Sequence, residues 1–403
     1  MGWKRDDLGL QSQAQRIIFL PFIDAFGGAE RLVLDLSRFL HETGIASTIA
    51  CFRQAIDLRC YADWPLRIHQ LRPPRNSVVE ARALSRYLRD SRLSTFGRPL
   101  LFDLKSAFYS GIVSFGQFAL HLTDPPSLLP ADLSKHARLA RARIPKFQDL
   151  PRPGASQFIR AELAHCLNQR GVRRASRVIV MTEKVRAEVQ QLYGVESSVI
   201  RPGVPAINSS SKSFGTDSKP LRLLSVSRLE PNKRLDRILR ALEALQSAGR
   251  LKKNEWVFEI LGHGSAADSL KRLARQLGLE RQVTFLGHVS DVGLAAAYAR
   301  ANLFVMPAVQ GYGLPALEAL QRELPTIVHR ESGVSEILGQ SPWVEIIEGN
   351  NGSLALAIAK MKDRLATSML TPANKPHVPT STEWARQVSE TCGWLPKSPA
   401  ITN

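Results

Sequence analysis

Residues 303–321, LFVMPAVQGYGLPALEALQ, run four consecutive apolar side chains into a proline, a glycine-punctuated loop and a helix-forming segment. Leu303 to Met306 read as a strand covered on both faces, and Pro307 ends it because proline has no N–H for the ladder. Strands of that kind belong to parallel sheets flanked by helices, so the stretch predicts an α/β fold. Gly311 and Gly313 flank Tyr312, which lets the backbone take positive φ and approach a ligand closely. Pro315 pre-sets a helix from Leu314 to Gln321, whose free N–H groups face the loop mouth and favour an anion, phosphate above all. Glu318, placed in the first turn, leans back toward the same mouth and suits hydroxyl groups better than anions. On this stretch alone it could equally be complementing the helix dipole.

The chain has 403 residues, enough for two domains with separate cores, and 44% hydrophobic with 22% charged side chains marks it as globular. Cys51, Cys60, Cys166 and Cys392 are scattered without a C-x-x-C pair. Neither a disulfide framework nor a zinc site is expected, which fits a cytoplasmic setting. The opening MGWKRDDLGLQSQAQ has no apolar leader, and the run Ile17 to Ile23 is too short to span a bilayer. The net charge of +18 is concentrated in residues 51–200, while residues 301–350 are acidic on balance. An anionic membrane surface, nucleic acid, or a basic composition with no partner are the readings. No basic strand interleaved with aromatics is visible, which argues against nucleic acid.

Taken in order, Arg16 to Phe22 predicts a first strand, followed by IDAFGGAE and a helix from Ala29 to Thr43. Gly27 and Gly28 offer amides to an anion at that helix start or simply make a tight turn, and no G-x-G-x-x-G or G-K-[ST] supports a dinucleotide or Walker site. Further strands are expected at Ala46–Phe52, Arg67–Leu71, Pro99–Leu104, Gln117–Leu122 and Arg177–Met181, and Val199–Val204 closes this half. Helices are expected at Ser77–Ser91, 131–144 and Thr182–Tyr193, with Thr182 as N-cap. The helix 131–144 is basic and amphipathic, either a membrane-surface element or a solvated face. His121 falls at the C-terminal edge of a predicted strand, where open α/β sheets bind ligands, although a lone histidine there is often structural. Residues 205–220 are Ser/Gly/Pro-rich and read as the linker. Beyond it, strands at Leu221–Val226, Trp256–Leu261, Val283–Leu286, Leu303–Met306 and Thr326–His329 repeat a scheme of apolar run and glycine turn. Arg228 and Lys233 follow the first of these, His263 and His288 sit in the turns GHGS and GHVS, and residues 383–395 form a terminal helix.

The expected organisation is therefore a tail (1–15), an N-terminal domain (16–204), a linker (205–220), a C-terminal domain (221–378), and a terminal segment (379–403) returning to the first domain. Two doubly wound domains facing across a cleft would offer a diphosphate Arg228, Lys233 and the Gly313/Leu314 amides from one side and the Gly27–Gly28 amides from the other. The chain has no D-x-D for a carboxylate-held Mg²⁺, so cations must neutralise the phosphates. A unit charge pair at about 4 Å is worth roughly 4 kcal/mol at an effective dielectric near 20.

Several segments carry a family resemblance. SVSRLEPNKRLD, LGHGS, FLGHVSDVGLAAAYARANLFVMPA and QGYGLPALEAL resemble, in order and spacing, the motifs of the retaining family-4 glycosyltransferases of the GT-B fold, two Rossmann-like domains facing across a cleft. GGAER, HLTD and RVIVMTEKVRAEVQQLYGVESSVIRPGV agree more sparsely in the first half. The resemblance implies that Arg228 and Lys233 bind the donor diphosphate and that Glu318 holds the ribose hydroxyls. It places Gly311, Tyr312, Gly313 and Leu314 near sugar and phosphate, Gly27 and Gly28 near the diphosphate, His121 near the transferred sugar, and His263 and His288 beside the base. Gln310 stands where the family has its first glutamate, Asn302 where it has aspartate, and Arg234 and Leu324 where it has glycine. The implied activity is transfer of a hexose from a UDP- or GDP-linked sugar to a glycan or lipid-linked acceptor, with retention, no cofactor and no metal, in the cytoplasm or at the inner membrane face. The alternative is a sugar-nucleotide-binding or partner-binding protein that kept the fold.

Overall fold

The computed structural model describes residues 15–90, 97–126, 155–207, 220–339, 341–349, 351–367 and 369–396. The expected basic helix 131–144 and most of the linker, 208–219, lie outside the described residues. The chain divides into two units, Met1–Pro202 with Ser381–Asn403, and Gly203–Thr380.

In the first unit, Arg16–Phe19 is the third strand of a seven-stranded parallel sheet. Ser47–Cys51 and then Ile68–Gln70 are on one side of it, and Leu100–Phe102, Ala119–Leu122, Arg177–Val180 and Ser198–Val199 follow on the other. The chain order therefore reverses between Arg16–Phe19 and Leu100–Phe102. Crevices at such reversals, beyond the strand C-termini, are where doubly wound sheets take ligands. Ile17, Phe19, Leu101, Leu120 and Val178 build the core. The expected first strand breaks at Leu20-Pro21, and Phe22–Ile23 pairs instead with Arg53–Gln54 in a separate two-stranded sheet.

Two helices of the first unit were not legible in the pattern. The strand expected over Pro99–Leu104 ends at Phe102, and Asp103, at φ 70°, opens the helix Asp103–Ile112. This helix packs on Ala155–Arg174. A Cβ on Gly171 would stand 1.7 Å from the Ala107 carbonyl oxygen, so the two backbones touch where a side-chain stripe would normally be. Contact made by glycine leaves little apolar periodicity to read.

The terminal helix runs from Ser381 to Cys392 and belongs to the first unit. Trp384 is buried in it, and the Trp394 indole donates to the Arg98 carbonyl at 2.9 Å.

The second unit repeats the architecture with six parallel strands in the order Val283–Gly287, Trp256–Leu261, Leu221–Val226, Leu303–Met306, Thr326–His329 and Val344–Ile347. The reversal falls between Leu221–Val226 and Leu303–Met306. All four residues of Leu303–Met306 are buried, as a central parallel strand requires. The helix Leu235–Ser247 buries Leu235, Ile238, Leu239, Leu242 and Leu245 at helical spacing, against Trp256, Phe258 and Val305. The strand Val344–Ile347 and the helix Asn351–Leu365 complete the unit and were not among the expected elements.

Candidate active site

The loops after the two strands at the second reversal carry the charged and amide groups of the site. Leu221–Val226 leads through Ser227 and an exposed Arg228 into a short 3-10 turn, Pro231–Lys233. Leu303–Met306 leads to Gln310 and the helix Leu314–Gln321. The two loops meet where Lys233 Nζ donates to Gln310 Oε1 at 2.6 Å. The Gln310 amide nitrogen faces Met306 Sδ at 3.0 Å and Ser332 Oγ at 3.3 Å. Gly313 has φ 123°, and a Cβ there would stand 2.7 Å from Gln310 Nε2 and 2.8 Å from Ser332 Oγ. It must be glycine on both counts. Gly311 does not share the positive φ expected of it. Ser332 Oγ donates to the Tyr312 carbonyl at 2.8 Å, and Val334 N–H donates to the same oxygen at 2.9 Å, which fixes the loop. The Tyr312 side chain is itself buried.

The helix Leu314–Gln321 begins without a side-chain cap, with Pro315 near its start, so its first amides point at the loop mouth unclaimed by a cap. Glu318 is not in the first turn as expected. It is the fifth helical residue, on the inner face, and nearly fully buried. The one-residue difference turns the carboxylate by about 100° from the fourth position, toward the helix Asp291–Arg300 rather than straight back to the mouth. There Tyr298, itself buried, donates its hydroxyl to Glu318 Oε2 at 2.9 Å. The Arg322 guanidinium lies 4.9 Å from the Tyr298 ring centroid. Tyr298 was not singled out from the sequence. A tyrosine amid the alanines of LAAAYARAN was the available signal.

Arg234 was noted only as a departure from glycine. It holds a left-handed conformation, φ 54°, yet buries its side chain. Its Nη1 is 3.2 Å from His329 Nε2 and its Nη2 is 2.9 Å from Glu331 Oε2. A guanidinium only donates, so His329 Nε2 accepts. Burial first, and the Arg234 charge second, hold the His329 imidazole below its ordinary range and therefore neutral. Arg234, the residue after Lys233, is thus tied to the turn that carries Ser332, and Ser332 in turn contacts Gln310. Lys233 and Gln310 are braced from both ends.

His263 and His288 are both exposed, with ring centroids 6.1 Å apart. The His263 carbonyl accepts from Leu229 N–H at 2.8 Å, and a Cβ on Gly262 would stand 1.9 Å from the Ser227 carbonyl oxygen. The GHGS turn therefore lies directly on the Arg228 loop.

In the first unit, His121 is wholly buried, its ring stacked on Phe102 at 4.9 Å and edge-on to Trp384 at 5.8 Å. Among the described residues neither ring nitrogen has a partner at hydrogen-bond distance, and desolvation, opposed by its own backbone, pushes the imidazole down to about 3. It is a neutral side chain beneath the sheet edge rather than on it. Gly27 and Gly28 begin the helix Gly28–Glu42, again without a side-chain cap. The surroundings are acidic: Asp103 is pushed up to about 7 by burial first, with Asp124 and Glu30 adding to the effect and a hydrogen bond from Thr123 opposing it. Amides beside Glu30, Asp103 and Asp124 suit hydroxyl groups better than a second phosphate.

Known proteins resemble this chain in sequence and in fold. The profile described as Glycosyl transferases group 1 matches residues 207–364, and that described as Glycosyltransferase Family 4 matches residues 26–206. The chain belongs to these glycosyltransferases. A D-inositol 3-phosphate glycosyltransferase of Catenulispora acidiphila is 28% identical over 206 residues, 47% of this chain and 48% of that protein. A GDP-mannose-dependent alpha-(1-6)-phosphatidylinositol monomannoside mannosyltransferase of Mycolicibacterium smegmatis is 27% identical over 166 residues, 39% and 42% of the two chains. The chain spans about half the length of the curated relatives it matches. Among solved structures, HepE of Anabaena in complex with UDP and glucose superimposes with a TM-score of 0.67 at 18% identity, covering 94% of this chain and 100% of that one. WaaG, a glycosyltransferase involved in lipopolysaccharide biosynthesis, gives 0.63 at 16% identity, with 94% and 96% covered. These similarities establish the two-domain GT-B fold. Among the described residues no helix is long and apolar enough to cross a membrane.

Proposed function

We propose that this glycosyltransferase moves a hexosyl group from a UDP- or GDP-linked sugar to a hydroxyl of a glycan or lipid-linked acceptor, with retention and without a metal ion. The observation that carries the reading is the meeting of Lys233 and Gln310 at 2.6 Å at the second unit's sheet reversal, beside exposed Arg228 and an uncapped helix start. An amide does not neutralise an ammonium, so this contact leaves the Lys233 charge in place.

In this reading Arg228, Lys233 and the amides of Gly313 and Leu314 hold the diphosphate, and Gly311 and Tyr312 shape the loop around the sugar. Glu318, held by Tyr298, accepts the ribose hydroxyls, and His263 and His288 flank the base. The bond from the anomeric carbon to the terminal phosphate oxygen breaks with its electron pair on that oxygen, where the cations and amides stabilise it. The acceptor hydroxyl attacks the same face and passes its proton to the departing oxygen. His121 stiffens the first unit's own sheet edge, which Gly27 and Gly28 complete. The basic first half rests on anionic lipid, making the enzyme peripheral at the cytoplasmic face.

Thermal shift with UDP, GDP and their sugars, with and without EDTA, tests the donor and metal claims together. Absence of a shift with every nucleotide sinks the reading, and loss of transfer in EDTA sinks metal independence. Nucleotide binding without hydrolysis or transfer across acceptors would leave the sugar-nucleotide-binding alternative, which Gln310 in the family's glutamate position keeps in view. An inverted anomeric configuration in the product would exclude retention. Equal flotation with anionic and neutral liposomes would remove the membrane claim.

A further inference from the structure

Beyond the C-terminal ends of Arg16–Phe19, Ser47–Cys51 and Ile68–Gln70, the first unit holds a cavity of about 260 Å³ lined by Phe22, Phe52, Arg53, Arg72, Arg75 and Glu80, among others. Its charges are unevenly spent. Arg53 is paired to Asp24 through both ends of its guanidinium fork, Nε to Oδ1 at 2.7 Å and Nη2 to Oδ2. Glu80 is buried and takes the Tyr109 hydroxyl at 2.8 Å, with the Lys105 charge close by. Arg72 and Arg75 are exposed, and the Arg75 charge reaches the Asp24 carboxylate that Arg53 clamps and helps to hold it below its usual range. The wall beneath them is rigid: Phe52 packs edge-on against Phe19 and against Tyr109, both at 5.3 Å, and Arg53 lies 5.0 Å from the Phe22 ring centroid.

Two exposed guanidinium groups lining a cavity with an aromatic wall, at the ligand-binding edge of a doubly wound sheet, each present a planar fork that matches a phosphate. The cavity is smaller than a typical pocket for a whole drug-sized ligand, so it takes a phosphate with part of what it is attached to. We infer that this cavity binds a phosphate group carried by the sugar acceptor, with Arg72 and Arg75 as its ligands and Arg53, held by Asp24, as a fixed wall. The inference rests on the glycosyltransferase reading, but the phosphate site lies in the first unit and the proposed donor site in the second, so the two fail separately.

Calorimetry with glucose 1-phosphate, and with glucose as control, is performed on the full chain, on Arg72→Ala/Arg75→Ala, on Arg72→Lys/Arg75→Lys and on the donor-site variant Lys233→Ala. Expected is binding of glucose 1-phosphate but not glucose, unchanged in Lys233→Ala, weakened at least tenfold in the double alanine variant and partly restored in the double lysine variant. Unchanged affinity in the double alanine variant, or loss confined to Lys233→Ala, overturns the proposal. A second arm floats the protein with phosphatidylcholine vesicles containing 20% phosphatidate. Recruitment that the double alanine variant loses assigns the phosphate to a lipid headgroup. Glucose 1-phosphate binding without recruitment assigns it to a soluble phosphosugar, and absence of both overturns the site. A chain that binds glucose 1-phosphate but no nucleotide would keep this site and refute the donor reading instead.

Discussion

Lys233 Nζ and Gln310 Oε1 lie 2.6 Å apart, joining the loop after the first strand of the second sheet to the loop after the fourth. Where the family resemblance places a glutamate, which would pair with this lysine ion to ion, the chain has an amide. The contact keeps the two loops in register without an ion pair between these two side chains.

Restoring the acid tests that statement. Gln310→Glu should form an ion pair with Lys233, lose the amide donors facing Met306 and Ser332, and weaken UDP or GDP binding by about tenfold, near 1.4 kcal/mol. Calorimetry decides it, and tighter nucleotide binding would show that the lysine's charge is not what the amide preserves.

Tyr298→Phe removes a hydroxyl from a buried carboxylate. The loss should be about 1 to 3 kcal/mol of stability, because Glu318 Oε2 forfeits a charged hydrogen bond. Nucleotide affinity should fall with it, as the carboxylate is no longer aimed. Urea unfolding and calorimetry read the two effects, and a stability loss with unchanged affinity would separate Tyr298 from the donor site.

Arg234→Gly would relieve a left-handed arginine, a gain of about 1 kcal/mol, but would strip His329 and Glu331 of a buried partner at a cost of about 3 kcal/mol or more. The melting temperature should therefore drop. With the neighbouring charge gone, the His329 imidazole should titrate at higher pH, which histidine NMR would record. His329 is depressed in the fold, so its contribution is present above its unfolded value and disappears as pH falls through the folded one. The variant should accordingly lose less stability than the parent between pH 7 and pH 5.

Asp103 behaves in the opposite sense. Its folded value is raised to about 7, so the stability it confers is complete below its unfolded value near 4 and is lost as pH rises through 7. Asp103→Asn keeps a residue that tolerates φ 70° and cannot ionise. It should raise the melting temperature at pH 8 and leave it nearly unchanged at pH 4. An equal shift at both pH values would mean that the charge is not the cause.

Local chemistry decided much of this protein in advance. Leu303–Met306 and Thr326–His329 are strands over the residues their apolar runs predict, Leu314–Gln321 is the helix that Pro315 announces, and Thr182 caps its helix by accepting from Val185 N–H at 3.1 Å. Runs, caps and prolines act over a few residues, and so they are legible in a string. The two doubly wound sheets followed from repeating that local scheme, and the family motifs pointed to the loops that carry Arg228, Lys233 and Gln310. What the string could not contain was which side chains meet. Gly111 and Gly171 join two helices by backbone contact and erase the stripe that would have revealed them. Glu318 looks like a first-turn acid until its fifth position turns it onto Tyr298, twenty residues earlier in the chain. Arg234 reads as a surface cation where glycine is usual, and becomes a buried brace only because His329 and Glu331, nearly a hundred residues on, arrive at the next strand edge but one. Sequence alone determined the elements and their order, because those depend on neighbours a few residues apart. Tertiary structure decided partners, burial and charge state, because those depend on sheet order, which sets side by side residues that the chain keeps far apart.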